Sequence, residues 1–155
     1  FGDAMMELKK LGLTEPLKNY IQKGNTFLGL CLGMQLLFSK SEEAKGVKGL
    51  GIIKGEVKKF KLSKKILKVP HMGWNSLDFI KNLSPLLGGI KKGSYVYFVH
   101  SYYIEPEDKS IISSKTNYGI NFPSSIAMGN IFAMQFHPEK SQAIGLKMLQ
   151  NFINL

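Results

Sequence analysis

The pattern of apolar and polar residues divides the chain into a helical beginning, a long middle part of strands and a helical end. Helical spacing near the start predicts a first helix capped by Asp3 and a second capped by Thr14, each closed by a glycine. The short apolar run 25–30 has the form of a buried strand, and helical spacing resumes over 32–39.

From residue 50 onward apolar and polar side chains alternate with the two-residue period of strands. Candidate strands lie at 51–60, 65–70, 94–103, 110–117, 124–128 and 131–136. The chain closes with an amphipathic helix over 141–155. Its apolar face carries Ile144, Met148, Leu149 and Phe152. This order predicts one α/β domain over 1–155, in which helices cover a sheet and antiparallel strands are added to it.

The chain is strongly basic, with a net charge of +10 at pH 7, and all 21 of its basic residues are lysine. Proteins that read nucleic-acid sequence depend on the forked guanidinium of arginine, so this composition argues weakly against specific DNA or RNA recognition. A compositional bias toward lysine, asparagine and isoleucine is the simpler explanation. In the densest cluster, KKFKLSKKILK over 58–68, we expect two half-buried strands around a short turn, with solvated lysines outside.

Three features of the sequence bear on the cellular compartment. No apolar run reaches the length of about 18 residues that a transmembrane helix needs. The first residues lack the basic-then-apolar order of a signal peptide, and the single cysteine cannot form an internal disulfide. Together these features predict a protein of the reducing cytoplasm.

The most informative stretch is NTFLGLCLGMQLLF, over 25–38, in which a buried strand runs through Cys31 directly into a helix. The G-x-C-x-G pattern is typical of a nucleophile elbow, a turn so tight that the residues two before and two after the nucleophile crowd each other. Glycine at Gly29 and Gly33 is expected to relieve this crowding. The turn places the sulfur at a helix N-terminus, which favours the thiolate, and directs the backbone N–H of Leu32 toward an oxyanion hole. A buried, inert cysteine remains the alternative for this motif alone.

The stretch IFAMQFHPEKS, over 131–141, supplies a candidate base. A strand delivers His137, and Glu139 follows on the same side of an extended segment, a geometry that Pro138 favours. The carboxylate can therefore hold the imidazole in one tautomer. Beside Cys31, this pair predicts a Cys-His-Glu triad for acyl transfer through a thioester. An isolated H-P-E motif would instead indicate a surface histidine at a helix start.

The other two histidines, His71 and His100, each end a candidate strand and have no carboxylate two or three residues away. No pairing of cysteine and histidine has the spacing of metal ligands. We therefore expect neither a zinc site nor a cofactor.

Together these motifs resemble those of the class I glutamine amidotransferases, and most closely those of the glutaminase subunits of imidazole glycerol phosphate synthase, which serve histidine biosynthesis. The similarity runs along nearly the whole chain, through FGDAM, GLCLGMQLLF, GLG, VPHMGWN, YFVHSYY, YG, GN and QFHPEKS. The cysteine and H-P-E motifs are shared across the class, whereas VPHMGWN and YFVHSYY narrow the resemblance to this subunit. The resemblance implies the flavodoxin-like sheet of the class and the hydrolysis of L-glutamine to glutamate and ammonia.

The resemblance also implies a role for each residue that matches a motif of the class. Cys31 would be the nucleophile, His137 the general base and acid, and Glu139 the partner of His137. The residues that would bind glutamine are Gln35, Gly33, Ser101 and Tyr102. Considered without the resemblance, these positions could equally be a solvent-facing helix surface and ordinary strand ends.

The partner that the resemblance implies is a (β/α)8-barrel synthase, which forms a heterodimer with the glutaminase. It receives the ammonia without loss to bulk water, and its own ligand switches the glutaminase on. The residues that would face this partner are Trp74, Asn75, Tyr97 and Lys140. Trp74 could equally be a core residue, because lone tryptophans usually bury most of their surface.

A further expectation concerns the start of the chain. Members of the class begin with a strand, a helix and a second strand, and a glycine-rich loop after that strand supplies a second oxyanion donor. This sequence starts after that point, at Phe1. A molecule without the segment is expected to fold poorly or to have negligible activity, because the loss of one oxyanion donor costs about 2.7–4 kcal/mol.

Three alternatives remain open from the sequence. A paralogue serving a sugar-modifying synthase would keep the glutaminase chemistry and change only the partner surface. A lysine-rich nucleic-acid-binding module would not require the G-L-C-L-G or H-P-E motifs. A thiol hydrolase of the cysteine-peptidase kind would share the cysteine and its base but would not require Gln35 or the H-S-Y segment.

Overall fold

The computed structural model describes residues 1–62, 67–79 and 84–155, which form a mixed α/β fold of small sheets with flanking helices. The helices are α1 (Gly2–Lys10), α2 (Thr14–Gln22), α3 (Leu32–Leu36) and α4 (Gln142–Ile153). The strands are β1 (Phe27–Leu30), β2 (Phe38–Ser41), β3 (Ile53–Lys59), β4 (His71–Ser76), β5 (Asp78–Phe79), β6 (Tyr95–His100), β7 (Tyr102–Pro106), β8 (Ile112–Asn117), β9 (Asn121–Met128) and β10 (Ile131–Met134). Short 3-10 turns lie at Pro85–Leu87, Lys109–Ile111 and Pro138–Lys140.

The largest sheet joins strands in the order β1-β10-β9-β8-β5. Its β1 and β10 run parallel, with Leu30 opposite Met134, whereas its other pairs are antiparallel. A second sheet has the order β2-β3-β7, and β4 pairs with β6 in a separate ladder. Because β1 and β10 run parallel, the residues that follow these two strands meet at one edge of the sheet.

Two apolar clusters hold the helices against the strands. One packs α1 and α3 against β1, β2 and β3, with Met34 and Phe38 fully buried in it. The other packs α4 against β6, β9 and β10. Three of the four residues predicted for the apolar face of the last helix lie in this second cluster, where Met148 is fully buried and Ile144 and Phe152 pack against it. The fourth, Leu149, is half-buried and is not a member of this cluster. Burial of these faces is the main favourable contribution to folding.

The third helix is shorter than predicted. The sequence pattern favoured a helix over 32–39, but α3 ends at Leu36 and Phe38 begins β2. Leu36, Leu37 and Phe38 are all buried, so their apolar pattern does not distinguish a helix from a buried strand. The parallel pairing of β2 with β3 decides the conformation.

Two predicted strands differ from the structure. The strand predicted at 94–103 is two strands, because the chain turns at Ser101 and passes from the ladder with β4 to the ladder with β3. The strand predicted at 65–70 is wrong over 67–70, and its first two residues lie outside the described residues. His71 therefore begins β4 and does not end a strand.

The other predicted strands are present with shifted ends, whereas the predicted helix caps are wrong. The predicted strands 51–60, 110–117, 124–128 and 131–136 correspond to β3, β8, β9 and β10. Asp3 and Thr14 do not cap α1 and α2, because each lies in the first turn of its helix and no side-chain cap hydrogen bond forms. None of the helices in the described ranges has the length and apolarity needed to cross a bilayer.

The structure describes only part of the lysine cluster over 58–68, because residues 63–66 lie outside the described residues. Lys58 pairs with Glu105 and lies 3.3 Å from Glu56 Oε1. Lys61 lies 3.3 Å from Glu42 Oε1. Carboxylates therefore offset part of the positive charge of this cluster.

Candidate active site

Cys31 lies in the turn between β1 and α3, at the carboxyl end of β1. Its backbone has φ 47° and ψ −106°, a conformation that residues other than glycine rarely adopt. Its backbone N–H donates to Met134 O over 2.7 Å, which ties the turn to β10. A strained residue between a strand and a helix is typical of a nucleophile elbow, which holds the reactive side chain at the edge of a sheet.

The two glycines around Cys31 have different roles. A Cβ at Gly29 would lie 3.0 Å from Gly33 O and 3.1 Å from Met34 N, so the close approach of β1 and α3 requires glycine there. A Cβ at Gly33 would meet no heavy atom of the described residues within 4 Å. The prediction that both glycines relieve crowding is therefore correct for Gly29 and wrong for Gly33, which contributes its carbonyl group to the contact.

The sulfur of Cys31 is half-buried among polar groups. Gln135 Nε2 donates to Sγ over 3.6 Å, and Val99 O lies 3.9 Å from Sγ. Burial raises the pKa of the Cys31 thiol, while hydrogen bonds from the Leu32 N–H and from Gln135 act to lower it. The sequence predicted that the helix N-terminus would favour the thiolate, and in the structure burial has the larger effect on the pKa of Cys31, in the opposite direction.

His137 follows β10 and reaches the same edge of the sheet. Its Nδ1 lies 2.7 Å from Glu139 Oε1, and its backbone N–H donates to Tyr97 O over 2.9 Å. With an ionised carboxylate, which can only accept, Nδ1 carries the hydrogen of the neutral ring and Nε2 is an acceptor. Nε2 is buried and has no hydrogen-bond partner among the described residues. An imidazole held by a carboxylate at one nitrogen and unpaired at the other is equipped to take up a proton.

The turn that carries His137 and Glu139 is fixed from two sides. Ser141 Oγ donates to His137 O over 2.6 Å and accepts from the backbone N–H of Tyr97 over 2.9 Å. A Cβ at Gly145 would overlap the carbonyl oxygen of Pro138, so α4 can approach this turn only because residue 145 is glycine. The packing of β6 and α4 therefore sets the position of the histidine.

Cys31 and the His137–Glu139 pair lie at the adjacent ends of β1 and β10. The structure joins His137 to Glu139 but forms no hydrogen bond between His137 Nε2 and Cys31 Sγ. Catalytic hydrogen bonds are often long or poorly aligned before substrate binds. The arrangement can support nucleophilic attack by sulfur with an imidazole as base.

A cleft of about 250 Å³ opens beside the cysteine. Its lining includes Cys31, Leu32, Gln35, Glu43, Ser101 and Tyr102. Three of the four residues expected to bind glutamine thus line one small cleft with the cysteine, whereas Gly33 does not line it. A larger cleft of about 840 Å³, beside α1 and α2, contains none of the predicted site residues.

Comparison with known proteins places the chain in a family. Residues 8–155 match the family described as glutamine amidotransferase class-I. The chain belongs to the class I glutamine amidotransferase family. This membership argues against the nucleic-acid-binding and cysteine-peptidase alternatives.

Curated relatives of this amidotransferase show which members of the family it is similar to. The chain is 54% identical over 152 residues to "Imidazole glycerol phosphate synthase subunit HisH" of Aquifex aeolicus, covering 98% of this chain and 72% of that protein. It is 53% identical over 155 residues to the protein of the same name from Methanocaldococcus jannaschii, covering 100% of this chain and 76% of that protein. The predicted resemblance to subunits of this synthase is therefore confirmed.

Solved structures of distant sequence share the fold of this amidotransferase. A glutamine amidotransferase crystal structure superposes with a TM-score of 0.68 at 14% identity, covering 96% of this chain and 72% of that chain. The structure of PurLQS from Thermotoga maritima gives a TM-score of 0.66 at 20% identity, covering 92% of this chain and 67% of that chain. The predicted α/β fold of the class is confirmed.

The amidotransferase presents three of its four predicted partner-facing residues around the turn that carries His137. Trp74 is 46% exposed, so the alternative that it is a core residue is wrong. Its ring contacts Tyr97 edge to face with centroids 5.9 Å apart, and Lys140 is exposed in the turn itself. Asn75 points the other way, because successive side chains on β4 alternate between faces. Its Nδ2 donates to Asn117 O over 2.9 Å.

His71 and His100, to which the sequence assigned no role, form a buried pair. Their Nδ1 and Nε2 atoms lie 3.0 Å apart, and the His71 ring stacks between Phe98 and Tyr118. Burial lowers the pKa of His71 to about 4 and that of His100 to about 3. Both rings are therefore neutral at physiological pH. No group of acidic, histidine or cysteine side chains in the described part of the chain could hold a metal ion.

Sequence reasoning also gave no role to Gln135 and Glu43. Gln135 is completely buried beside the cysteine, and Glu43 carries the only carboxylate among the residues that line the cleft. Gln135 has a signal in the sequence, because it is a polar residue within the apolar stretch IFAMQF. Glu43 has none, since it is one of two consecutive glutamates in the polar stretch SKSEEAK, over 39–45.

Proposed function

We propose that this protein hydrolyses L-glutamine to L-glutamate and ammonia at Cys31, and that a synthase subunit uses the ammonia to make imidazole glycerol phosphate. One observation carries the proposal. A strained cysteine and a histidine held by Glu139 lie at the adjacent ends of parallel strands, and Nε2 of this histidine has no partner in the part of the chain that the structure describes. The names of the relatives that are more than half identical support the identity of the product.

The first half of the reaction releases ammonia. Cys31 Sγ attacks the side-chain carbonyl carbon of glutamine, while His137 Nε2 takes the thiol proton. The Leu32 N–H stabilises the negative oxygen of the tetrahedral intermediate. The C–N bond then breaks, His137 returns the proton to the leaving nitrogen, and a γ-glutamyl thioester remains on the sulfur. Glu139 stabilises the imidazolium and holds its tautomer throughout.

The second half restores the enzyme. A water molecule attacks the thioester carbon, and His137 Nε2 takes a proton from this water. The C–S bond breaks, glutamate leaves, and the proton returns to the sulfur of Cys31. The same nitrogen, which has no partner among the described residues, would therefore serve both halves of the reaction.

The cleft beside the sulfur supplies groups for the amino-acid end of glutamine. Gln35 Nε2 already donates to Tyr102 O over 3.1 Å and to Gln135 Oε1 over 3.0 Å, so its Oε1 is the atom available to accept from the substrate. Glu43 Oε2 pairs with the amino group of Phe1 over 3.1 Å, so Oε1 is the carboxylate oxygen available to the α-ammonium group of glutamine. Ser101 and Tyr102 would position the α-carboxylate from the strand end.

The partner surface lies on the ladder of β4 and β6. Met72 is 62% exposed, Trp74 46% and Tyr95 60%, and this apolar patch adjoins the turn of His137 through Tyr97. An apolar and aromatic patch of this kind is typical of a protein interface. A (β/α)8-barrel synthase seated there would receive ammonia released near His137.

The decisive experiment measures ammonia release from glutamine by the wild type and by Cys31→Ala, each with and without the synthase subunit. Loss of all detectable glutamine-dependent turnover is expected for Cys31→Ala, because the thioester cannot form. Mass spectrometry of the wild type mixed with a glutamine analogue that alkylates thiols should place the label on Cys31. Ammonia release that survives the Cys31 substitution would overturn the proposal.

A second arm of the experiment tests the partner surface. Trp74→Ala is expected to weaken co-purification with the synthase subunit by at least tenfold, since buried tryptophans dominate interface energies. Tyr20→Ala is the matched control, because Tyr20 is 48% exposed but lies on α2. Equal weakening by both variants would show that the patch on β4 and β6 is not the interface.

A further inference from the structure

Gln135 joins the nucleophile, Cys31, to Gln35, a second residue of the cleft. Its side chain is completely buried. Nε2 donates to Cys31 Sγ over 3.6 Å, and Oε1 accepts from Gln35 Nε2 over 3.0 Å. Buried polar side chains are usually hydrogen-bonded, and here both bonds of the amide go to residues of the site.

The direction of this amide follows from the chemistry of its neighbours. Tyr102 O is a carbonyl oxygen and only accepts, so Gln35 must present Nε2 to it. The second hydrogen on that nitrogen points to Gln135, which must therefore present Oε1 to Gln35. The Nε2 of Gln135 is left to face the sulfur of Cys31. The Tyr102 carbonyl thus sets the orientation of both amides.

The same carbonyl is held in place from its other side. His100 Nδ1 donates to Tyr102 O over 2.8 Å, which leaves His100 Nε2 to accept from His71 Nδ1 over 3.0 Å. His71 Nε2 then accepts from Asn75 Nδ2 over 3.3 Å. Each donor in this series of hydrogen bonds faces an acceptor. Because burial keeps both imidazoles neutral, the donors and acceptors of the series keep the same roles across the neutral pH range.

We propose that Gln135 is a positioning residue for the glutaminase reaction, holding the Cys31 sulfur in place and stabilising its thiolate through a hydrogen bond whose direction is imposed by Tyr102 through Gln35. The role in turnover rests on the proposed function, whereas the effect on the sulfur does not. A hydrogen bond to a charged acceptor is stronger than one to a neutral acceptor, so this contact favours the ionised sulfur. It opposes the effect of burial on the same group.

The thiol itself provides the test, because Cys31 is the single cysteine and alkylation by iodoacetamide reports on it alone. The rate of alkylation is measured against pH, since the thiolate is the reacting form. Gln135→Met keeps the length of the side chain and removes the donor, so the midpoint should rise by about one pH unit. Gln135→Glu should raise it further, because a carboxylate repels the thiolate.

The matched control is Thr116→Val, which also removes a buried hydrogen bond, from Thr116 Oγ1 to Ser76 O over 3.0 Å, but on β8. Its midpoint should stay at the wild-type value. A folded Gln135→Met protein with an unchanged midpoint overturns the proposal, and so does an equal rise in Thr116→Val. If Gln135→Met does not fold, Gln135→Glu is judged by the same criterion.

A measurement on the wild type needs no variant. The side-chain amide nitrogen of Gln135, observed by NMR, should shift with pH at the midpoint found by alkylation. A signal that does not respond when Cys31 ionises overturns the proposal.

Turnover separates this inference from the proposed function. Gln135→Met should lower kcat for glutamine about tenfold with little change in KM, because one pH unit of thiolate stabilisation corresponds to a factor of ten. If the wild type hydrolyses no glutamine but the alkylation midpoint moves as expected, the proposed function fails and the role of Gln135 at the sulfur stands. If glutamine is hydrolysed and the midpoint does not move, only the role of Gln135 fails.

Discussion

The three histidines of this chain lie in two different settings. His71 and His100 lie in the ladder of β4 and β6, where every ring nitrogen has a hydrogen-bond partner. His137 lies at the carboxyl end of β10, where Nδ1 is held by Glu139 and Nε2 has no partner among the described residues. The hydrogen bonds of the pair are therefore all made within the described residues, whereas one ring nitrogen of His137 makes none there.

The difference in hydrogen bonding indicates that the buried pair serves stability and that His137 serves catalysis. A buried polar atom without a partner costs roughly 1–3 kcal/mol, and a role as proton acceptor would account for this cost at His137 Nε2. The pair also lacks a carboxylate, and burial lowers the pKa of both rings. His137 has the carboxylate that keeps an imidazole ready to accept a proton. Histidine content alone therefore says little about function, and the contact with Glu139 is what distinguishes His137 from the buried pair.

The largest effect expected from this comparison is that of His137→Asn on turnover. Removal of a general acid and base should lower kcat for glutamine hydrolysis about 10³-fold or more, while the free energy of unfolding changes by less than about 1 kcal/mol. The checks are ammonia release in the presence of the synthase subunit and unfolding in urea. If His137→Asn unfolds at lower urea but hydrolyses glutamine at the wild-type rate, His137 serves stability and not catalysis, and the prediction is wrong.

A smaller effect is expected from acid on the buried pair. The folded pKa values of His71 and His100, about 4 and about 3, lie below the ordinary value of 6.5, so the unfolded chain binds more protons. The contribution of the pair is therefore complete above pH 6.5 and is lost as the pH falls toward about 4. The free energy of unfolding should fall by up to about 1.4 kcal/mol per pH unit for each histidine.

The control for this acid effect replaces both partners. The double variant His71→Phe with His100→Leu should show a shallower loss of stability between pH 7 and about 5, because neither new side chain can take up a proton in the unfolded state. Replacing both members of a buried pair costs less than removing one, so the variant should still fold. An unchanged slope in urea unfolding would mean that other groups cause the acid sensitivity.

The parts of the site that could be predicted from the sequence are those made by neighbouring residues. The turn around Cys31 and the extended His137-Pro138-Glu139 segment depend on glycine, proline and spacing, so their local form was accessible. The predicted α/β class and family are confirmed for the same reason, since their motifs are short and continuous.

The parts that could not be predicted depend on pairing between distant segments. Gln35 and Gln135 are 100 residues apart, and His71 meets His100 only through the register of β4 and β6. The inward direction of Asn75 follows from the same register, whereas its neighbour Trp74 points out. No local pattern of apolar and polar residues contains this information.

The smallest effect expected concerns the glycines that bracket the nucleophile, and it sharpens the comparison on the catalytic side. Gly29→Ala would bring a Cβ to 3.0 Å from Gly33 O, so α3 must shift and carry Cys31 with it. We expect a loss of roughly 1–3 kcal/mol in the free energy of unfolding and a fall in kcat.

Gly33→Ala is the matched control, because it adds the same methyl group where a Cβ meets nothing within 4 Å among the described residues. Alanine favours a helix over glycine, so the free energy of unfolding should stay the same or rise by up to about 1 kcal/mol. Urea unfolding and kcat together check the pair. Equal destabilisation by both variants would contradict the steric difference. If Gly33→Ala keeps its stability but raises KM, the space above Gly33 is needed by glutamine and not by the fold.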